Sequence, residues 1–166
     1  MKAVKTVGIQ YAALPFRIER RRVQVLLITS RATRRWVIPK GWPIPGLTPK
    51  ETAAREAADE AGLAGEVADQ PIGSFHYAKR LKGDHDAAVQ VIVFPFQVEA
   101  QFDDWKEQHQ RIFCWLDYRR AAMMVAEPGL GRLIRDLGLA RSPGLLARGV
   151  RIYQAWRTLA RRPALG

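Results

Sequence analysis

The sequence predicts a single α/β domain of the α+β kind, strands gathered around a few helices. Three observations predict it. Apolar, β-branched segments recur along the chain, and among them one segment carries both the start and the stop signals of a helix. The third is composition: 48% hydrophobic against 26% charged residues over 166 residues is that of one globular domain able to bury its own core. No repeat, low-complexity tract or shift of composition marks a second domain.

Residues 4–14 and 22–30 read as strands, the second opening with the period-2 alternation Arg22-Val23-Gln24-Val25 of a half-buried strand. The basic cluster at 17–22 reads as the turn between them. A short apolar piece, Trp36-Val37-Ile38, leads into Pro39-Lys40-Gly41-Trp42-Pro43-Ile44-Pro45-Gly46, too rich in Pro and Gly for regular structure. Thr48-Pro49-Lys50-Glu51 then supplies a Thr N-cap, Pro at the first helical position and Glu three residues after the cap. A helix therefore starts at Pro49. Alanines carry it to Ala61, and Gly62 stands where a left-handed C-terminal residue is wanted.

Residues 71–81 and 87–98 read as strands around a polar turn at 82–86, the second apolar on both phases as a buried strand is. A short strand follows over 111–115, then helix over 117–139 interrupted at Pro128-Gly129. A last amphipathic helix is expected over 143–162, with Leu146, Val150, Tyr153 and Trp156 at helical spacing. The chain thus divides into a domain over 1–140 and a basic helix within 141–166, packed on that domain or on the mate of a homodimer.

Charge narrows the partners. Lys+Arg number 27 against 16 Asp+Glu, a formal net charge of +11, and Arg supplies 20 of the basic residues. The planar guanidinium fork suits phosphate, so a phosphorylated small molecule is the expected substrate. No aromatic RNA-binding pattern accompanies the charge, and no stable nucleic-acid partner is expected. Cys114 is the one cysteine, which excludes an internal disulfide and a thiolate metal cage and points to a reducing, cytoplasmic setting. Lys2 and Lys5 precede a stretch broken by Gln10, Tyr11 and Pro15, a poor signal peptide. No apolar run approaches the ~20 residues of a membrane span.

Residues 41–63 carry the chemistry. Glu56 and Glu60, four residues apart on a helix, lie about 40° apart in azimuth, and Asp59 lies one turn from Glu56. A solvated acidic face gives this spacing readily. Two points weigh toward a cation: like charges at i,i+4 repel, and both glutamates sit in the C-terminal half, where the helix dipole disfavours anions. A hard, oxygen-seeking ion, Mg²⁺ or Mn²⁺, relieves both.

Gly41 followed by Arg55-Glu56-Ala57-Ala58-Asp59-Glu60-Ala61-Gly62-Leu63 resembles the Nudix box, G-x5-E-x7-R-E-U-x-E-E-x-G-U with U a bulky aliphatic residue. Gly41, Arg55, Glu56, Glu60, Gly62 and Leu63 match outright. Asp59 replaces a Glu, Ala57 replaces an aliphatic residue, and Leu47 stands where the family has its first Glu, a residue that supports the box. Glu51, one turn before Arg55, is a candidate substitute for it. The resemblance implies an α/β/α sandwich with a mixed β-sheet and a catalytic loop-helix-loop over residues 4–140.

It implies as activity a Mg²⁺- or Mn²⁺-dependent pyrophosphohydrolase that splits a phosphoanhydride in a nucleoside diphosphate derivative or a polyphosphate. By position, Glu56, Asp59 and Glu60 resemble the metal ligands, with the backbone carbonyl of Lys40 or Gly41 as a further oxygen ligand, and Arg55 resembles the residue that orients the acids. Glu56 is open to two roles, ligand or base. The implied acid from outside the box is Glu107, in a predicted loop, or Glu99. The entry Arg34-Arg35-Trp36-Val37-Ile38-Pro39-Lys40-Gly41 resembles the diphosphoinositol polyphosphate and diadenosine polyphosphate branch. Lys40, Arg34, Lys79 and Arg80 are the candidate phosphate binders, and Trp42 or Tyr77 the candidate for stacking on a base. A domain that binds a phosphorylated ligand or nucleic acid without turnover is the alternative, which Leu47 and the basic surface favour. His76, His85 and His109 have no common metal-site spacing, and Cys114, Ser74 and Ser142 carry no nucleophile signature.

Overall fold

The structure, a computed structural model, describes residues 6–80 and 86–142. Its hub is β1 (Thr6–Glu19), which pairs antiparallel with β2 (Arg22–Thr29) and parallel with β7 (Asp86–Gln101). Around it the sheet runs β3 (Trp36–Val37), β2, β1, β7, β5 (Leu63–Val67). Three further strands branch from this path: β4 (Lys40–Gly41) on β1, β6 (Gly73–Arg80) on β7, and β8 (Phe113–Asp117) on β2. The sheet is mixed, as the motif implied, and among the described residues three α-helices accompany it: α1 (Pro49–Ala61), α2 (Tyr118–Met124) and α3 (Pro128–Arg141).

Strand alternation divides the core in two. Ala12, Leu14, Phe16, Val25 and Leu27 face α2 and α3, where they bury Tyr118, Leu130, Ile134 and Leu137. The intervening Ala13, Leu26 and Ile28 face α1 and bury Ala53, Ala57 and Ala61. Helices thus cover both faces of the sheet. The alanines let α1 close on the strands without a layer of long side chains between, and the Ala57 that departs from the motif is part of this close packing.

Several boundaries differ from the sequence reading. The turn of the first hairpin is only Arg20-Arg21, at φ 48° and 63°, so Arg17 to Glu19 belong to β1. Two positive-φ residues are what a tight two-residue hairpin needs, and without Gly or Asn the sequence carries no sign of it. Lys40 and Gly41, within the Pro- and Gly-rich loop, form strand pairs with Ala12 and Tyr11. The strand β5 went unread, because Leu63-Ala64-Gly65-Glu66-Val67 has few β-branched residues; its pairing with β7 decides its state. That partner strand runs on to Gln101, which places Glu99 inside it. The expected turn at 82–86, apart from Asp86, and the helix at 143–162 lie outside the described residues.

The start of α1 is built as its four-residue signature predicts. The Thr48 side chain accepts from the Glu51 amide, and the Glu51 carboxylate accepts from the Thr48 amide at 2.7 Å and its hydroxyl at 2.8 Å. The helix ends at Gly62, φ 67°, whose N–H bonds back to the Ala58 carbonyl at 3.0 Å. Thr48→Ala and Glu51→Ala each remove one half of the box and should each cost about 1 kcal/mol in urea unfolding. A cost near zero for Glu51→Ala would mean that the Thr48 side chain alone satisfies the helix start.

Candidate active site

Burial of Thr52, Ala53, Ala57 and Ala61 fixes the rotation of α1, and that rotation turns Glu60 inward until it is 7% exposed. A carboxylate this deep must be hydrogen-bonded or protonated. The Lys40 amide in β4 donates to Glu60 Oε2 at 3.1 Å, and the Arg111 guanidinium takes Oε1. Burial outweighs both and pushes the Glu60 carboxyl up to about 7.

Glu56 lies beside Glu60 at the helix edge. A Cβ built on Gly41 would fall 2.0 Å from Glu56 Oε1, so Gly41 leaves the space that this carboxylate fills. Burial, then the charges of Asp59 and Glu107, raise the Glu56 carboxyl above the usual carboxylate range. Asp59 is partly exposed and its carboxylate pairs with Lys106 at 3.2 Å.

The loop that follows β7 docks on this end of α1. The Phe102 amide donates to the Gly62 carbonyl at 2.8 Å and the Glu107 amide to the Asp59 carbonyl at 3.1 Å. The Trp105 ring packs on Gly62, where a Cβ would come within 2.6 Å of it. Glu107 is thereby delivered to the cluster, and its carboxylate accepts from Arg111 Nε at 2.6 Å. Of the two candidate outside acids only Glu107 reaches the box acids; Glu99 is exposed in β7.

Arg111 escaped the sequence reading, although Glu107 and Arg111 stand at the i,i+4 spacing of an ion pair. It is the buried cation of the site. Arg55, implied as the orienting residue, is exposed, and among the described residues no ion pair involves it. Glu51 does not reach it either, its carboxylate being held by the helix cap.

Four acids, Glu56, Asp59, Glu60 and Glu107, therefore meet three paired cations, the buried Arg111 and the exposed Lys106 and Arg31. This donor set, carboxylate oxygen throughout and with Glu56 in no ion pair among the described residues, fits a hard divalent cation. As they stand the acids are spread over their cationic partners, and among the described residues no three of them close on one point.

On the other side of β4 lies a basic ledge. The Lys40 Nζ sits 5.4 Å from the Tyr77 ring centre and the Lys79 Nζ 4.9 Å from that of Trp42, the Trp42 ring lying over Gly8. Neither ammonium has a carboxylate ion pair among the described residues. Burial lowers the Lys40 pKa. Tyr77 is held by Gln10, to which its hydroxyl donates at 2.8 Å, and both go unread in the sequence as a pair. Arg34, by contrast, donates to the Gln110 carbonyl at 2.9 Å and braces the docked loop instead of joining the ledge. Arg31 pairs with Glu107 at 3.4 Å and Arg35 with Glu127 at 3.5 Å. The Arg80 side chain lies outside the described residues.

Comparison with known proteins bears on the family and the fold. The NUDIX domain family model matches residues 9–137. The chain is 32% identical over 100 residues, 60% of its length, to Nudix hydrolase 17, mitochondrial, of Arabidopsis thaliana. It is 31% identical over 96 residues, 58% of its length, to diphosphoinositol polyphosphate phosphohydrolase 3-alpha of Mus musculus. The chain spans about half the length of these curated relatives, 52% and 54%. Among solved structures, a C. elegans Ap4A hydrolase binary complex aligns with 85% of this chain and 98% of its own at TM-score 0.59 and 19% identity, a likeness of fold.

The two site glycines should respond differently to substitution. In Gly41→Ala the clashing atoms are the far end of Glu56, which can swing away, so unfolding free energy should stay within about 1 kcal/mol while the Glu56 carboxylate is displaced. Gly62→Ala meets a left-handed φ and the Trp105 ring, and should cost about 1–3 kcal/mol. Urea denaturation of both variants checks this, and equal costs would contradict the assignment of Gly41 to Glu56.

Proposed function

We propose, from the premise that this chain belongs to the Nudix family, that it is a Mg²⁺- or Mn²⁺-dependent pyrophosphohydrolase acting on a polyphosphate substrate such as a dinucleoside polyphosphate. The observation that carries the reading is the gathering of Glu56, Asp59, Glu60 and Glu107 at the end of α1, with Glu56 in no ion pair among the described residues. Phosphoanhydride cleavage needs charge neutralised on the phosphoryl oxygens and a water made acidic, and a divalent cation supplies both.

Glu56, Asp59, Glu60 and Glu107 would hold that cation, joined by the backbone carbonyl of Lys40 or Gly41. Glu56 serves either as ligand or as base toward the attacking water. Lys40 and Lys79 bind phosphates beyond the scissile bond, because their ammonium groups sit over aromatic rings, make no carboxylate ion pair among the described residues and lie across β4 from the acids. The names of relatives that act on diphosphoinositol polyphosphates support a substrate dense in phosphate. Among the described residues no helix is long and apolar enough to cross a membrane. A cytoplasmic setting is our reading of the lone Cys114.

Hydrolysis of a substrate panel with Mg²⁺, and with chelator, tests this. Turnover should require the cation, and Glu56→Gln and Glu60→Gln should each remove most of it. Their stabilities should differ in sign. Glu56 is crowded by acids, so its amide variant should unfold at an equal or higher temperature, whereas Glu60→Gln strips Arg111 of a partner and should unfold lower. Metal-independent turnover, or near-normal rates in either variant, would remove the metal assignment. Cation binding without turnover of any substrate would favour the binding-domain reading.

Across the same panel kcat/KM should rise with phosphate number at low salt and converge as salt increases, since screening shortens the field to about 10 Å at 0.1 M. Lys79→Ala should flatten the series. A preference for ADP-ribose with a flat salt response would rule out the polyphosphate substrate and leave the family standing.

A further inference from the structure

We propose that Arg111 is the positioning residue of the acid cluster, holding Glu60 on α1 and Glu107 on the docked loop in one fixed frame. The proposal rests on the metal-dependent reading of the site. Three nitrogens of one guanidinium reach three elements. Nη2 donates to Glu60, Nε to Glu107 at 2.6 Å, and Nη1 to the Thr29 carbonyl at the end of β2 at 3.0 Å. The last bond anchors the frame to the sheet.

Thr29 is 5% exposed and is itself locked. Its amide donates to the Ile112 carbonyl at 2.9 Å, and its hydroxyl accepts from the Ile112 amide at 3.0 Å. The backbone on both sides of the Arg111 head group is thus fixed before any acid is considered. The side chain is 7% exposed, and its three partners are all protein oxygens.

Two alternatives for the same task are absent from this chain. Position 47, where the motif has a supporting Glu, is Leu, and Arg55 points to solvent. The support comes instead from outside the box, through a residue that touches two of the acids at once.

Charge and positioning make opposite predictions, which makes the role testable. Removing a cation from among acids would by charge alone tighten binding of another cation. If Arg111 positions the ligands, its removal weakens binding despite the added negative charge. Mn²⁺ titration followed by electron paramagnetic resonance on the full chain reads this without turnover. Arg111→Met should weaken Mn²⁺ by about tenfold or more, the scale seen when partners of metal ligands are lost. Its kcat should fall while KM changes little. Arg111→Lys keeps the charge, but one ammonium cannot reach all three acceptors, so it should weaken Mn²⁺ too; it also stands in if the Met variant does not fold. Lys106→Met, which removes a cation from an exposed pair but holds no two acids together, should leave Mn²⁺ affinity unchanged or tighter. Unchanged or tighter Mn²⁺ in the Arg111 variants, with wild-type protein binding Mn²⁺ and turning over, overturns the positioning role alone. Wild-type protein that neither binds Mn²⁺ nor hydrolyses any substrate overturns both this and the proposed function.

Discussion

A carboxylate brought almost wholly out of water, that of Glu60, sets the terms for the rest of the site. It needs a donor on each oxygen, and the two donors belong to different parts of the chain: the Lys40 amide of β4 and the Arg111 guanidinium before β8. For both to meet it, α1 must lie close on the sheet and the loop after β7 must fold back over the end of α1. The alanines of the helix and Gly41 allow the first, and the hydrogen bonds to Gly62 and Asp59 secure the second.

The same constraint separates the site's two electrostatic halves. Acids collect on the α1 side of β4, and ammonium groups over aromatic rings collect on the other, with Lys40 contributing its backbone to one and its side chain to the other. A single short strand thus sits between a place suited to a divalent cation and a place suited to phosphate. That juxtaposition is what phosphoanhydride chemistry asks for, since a substrate spanning both halves would bring its bond to the acids and its further charge to the lysines.

Much of the helix and its acids was legible in the sequence because the signals there are local. A cap, a proline, spaced carboxylates and a terminal glycine act within a few residues of one another, and Thr48, Glu56, Glu60 and Gly62 stand where those signals put them. Arg111 was not legible, because its role depends on Thr29, 82 positions away, and on Glu60, 51 positions away, contacts that no local spacing encodes. The same distinction explains Arg34. Its sequence neighbours made it a phosphate candidate, but the tertiary fold spends it on Gln110. The β5 strand and the Arg20-Arg21 turn went unread for a related reason, their conformations being imposed by β7 and by strand twist against weak local preference.

The acids around Glu60 should form one cation site. Anomalous scattering from a crystal grown with Mn²⁺ and without substrate tests it most directly. A Mn²⁺ peak is expected, bounded by carboxylate oxygens of Glu56 and Glu60, with Arg111 still on the Thr29 carbonyl. Full-occupancy Mn²⁺ elsewhere on the molecule, with Glu56 and Glu60 left as they are here, would contradict it.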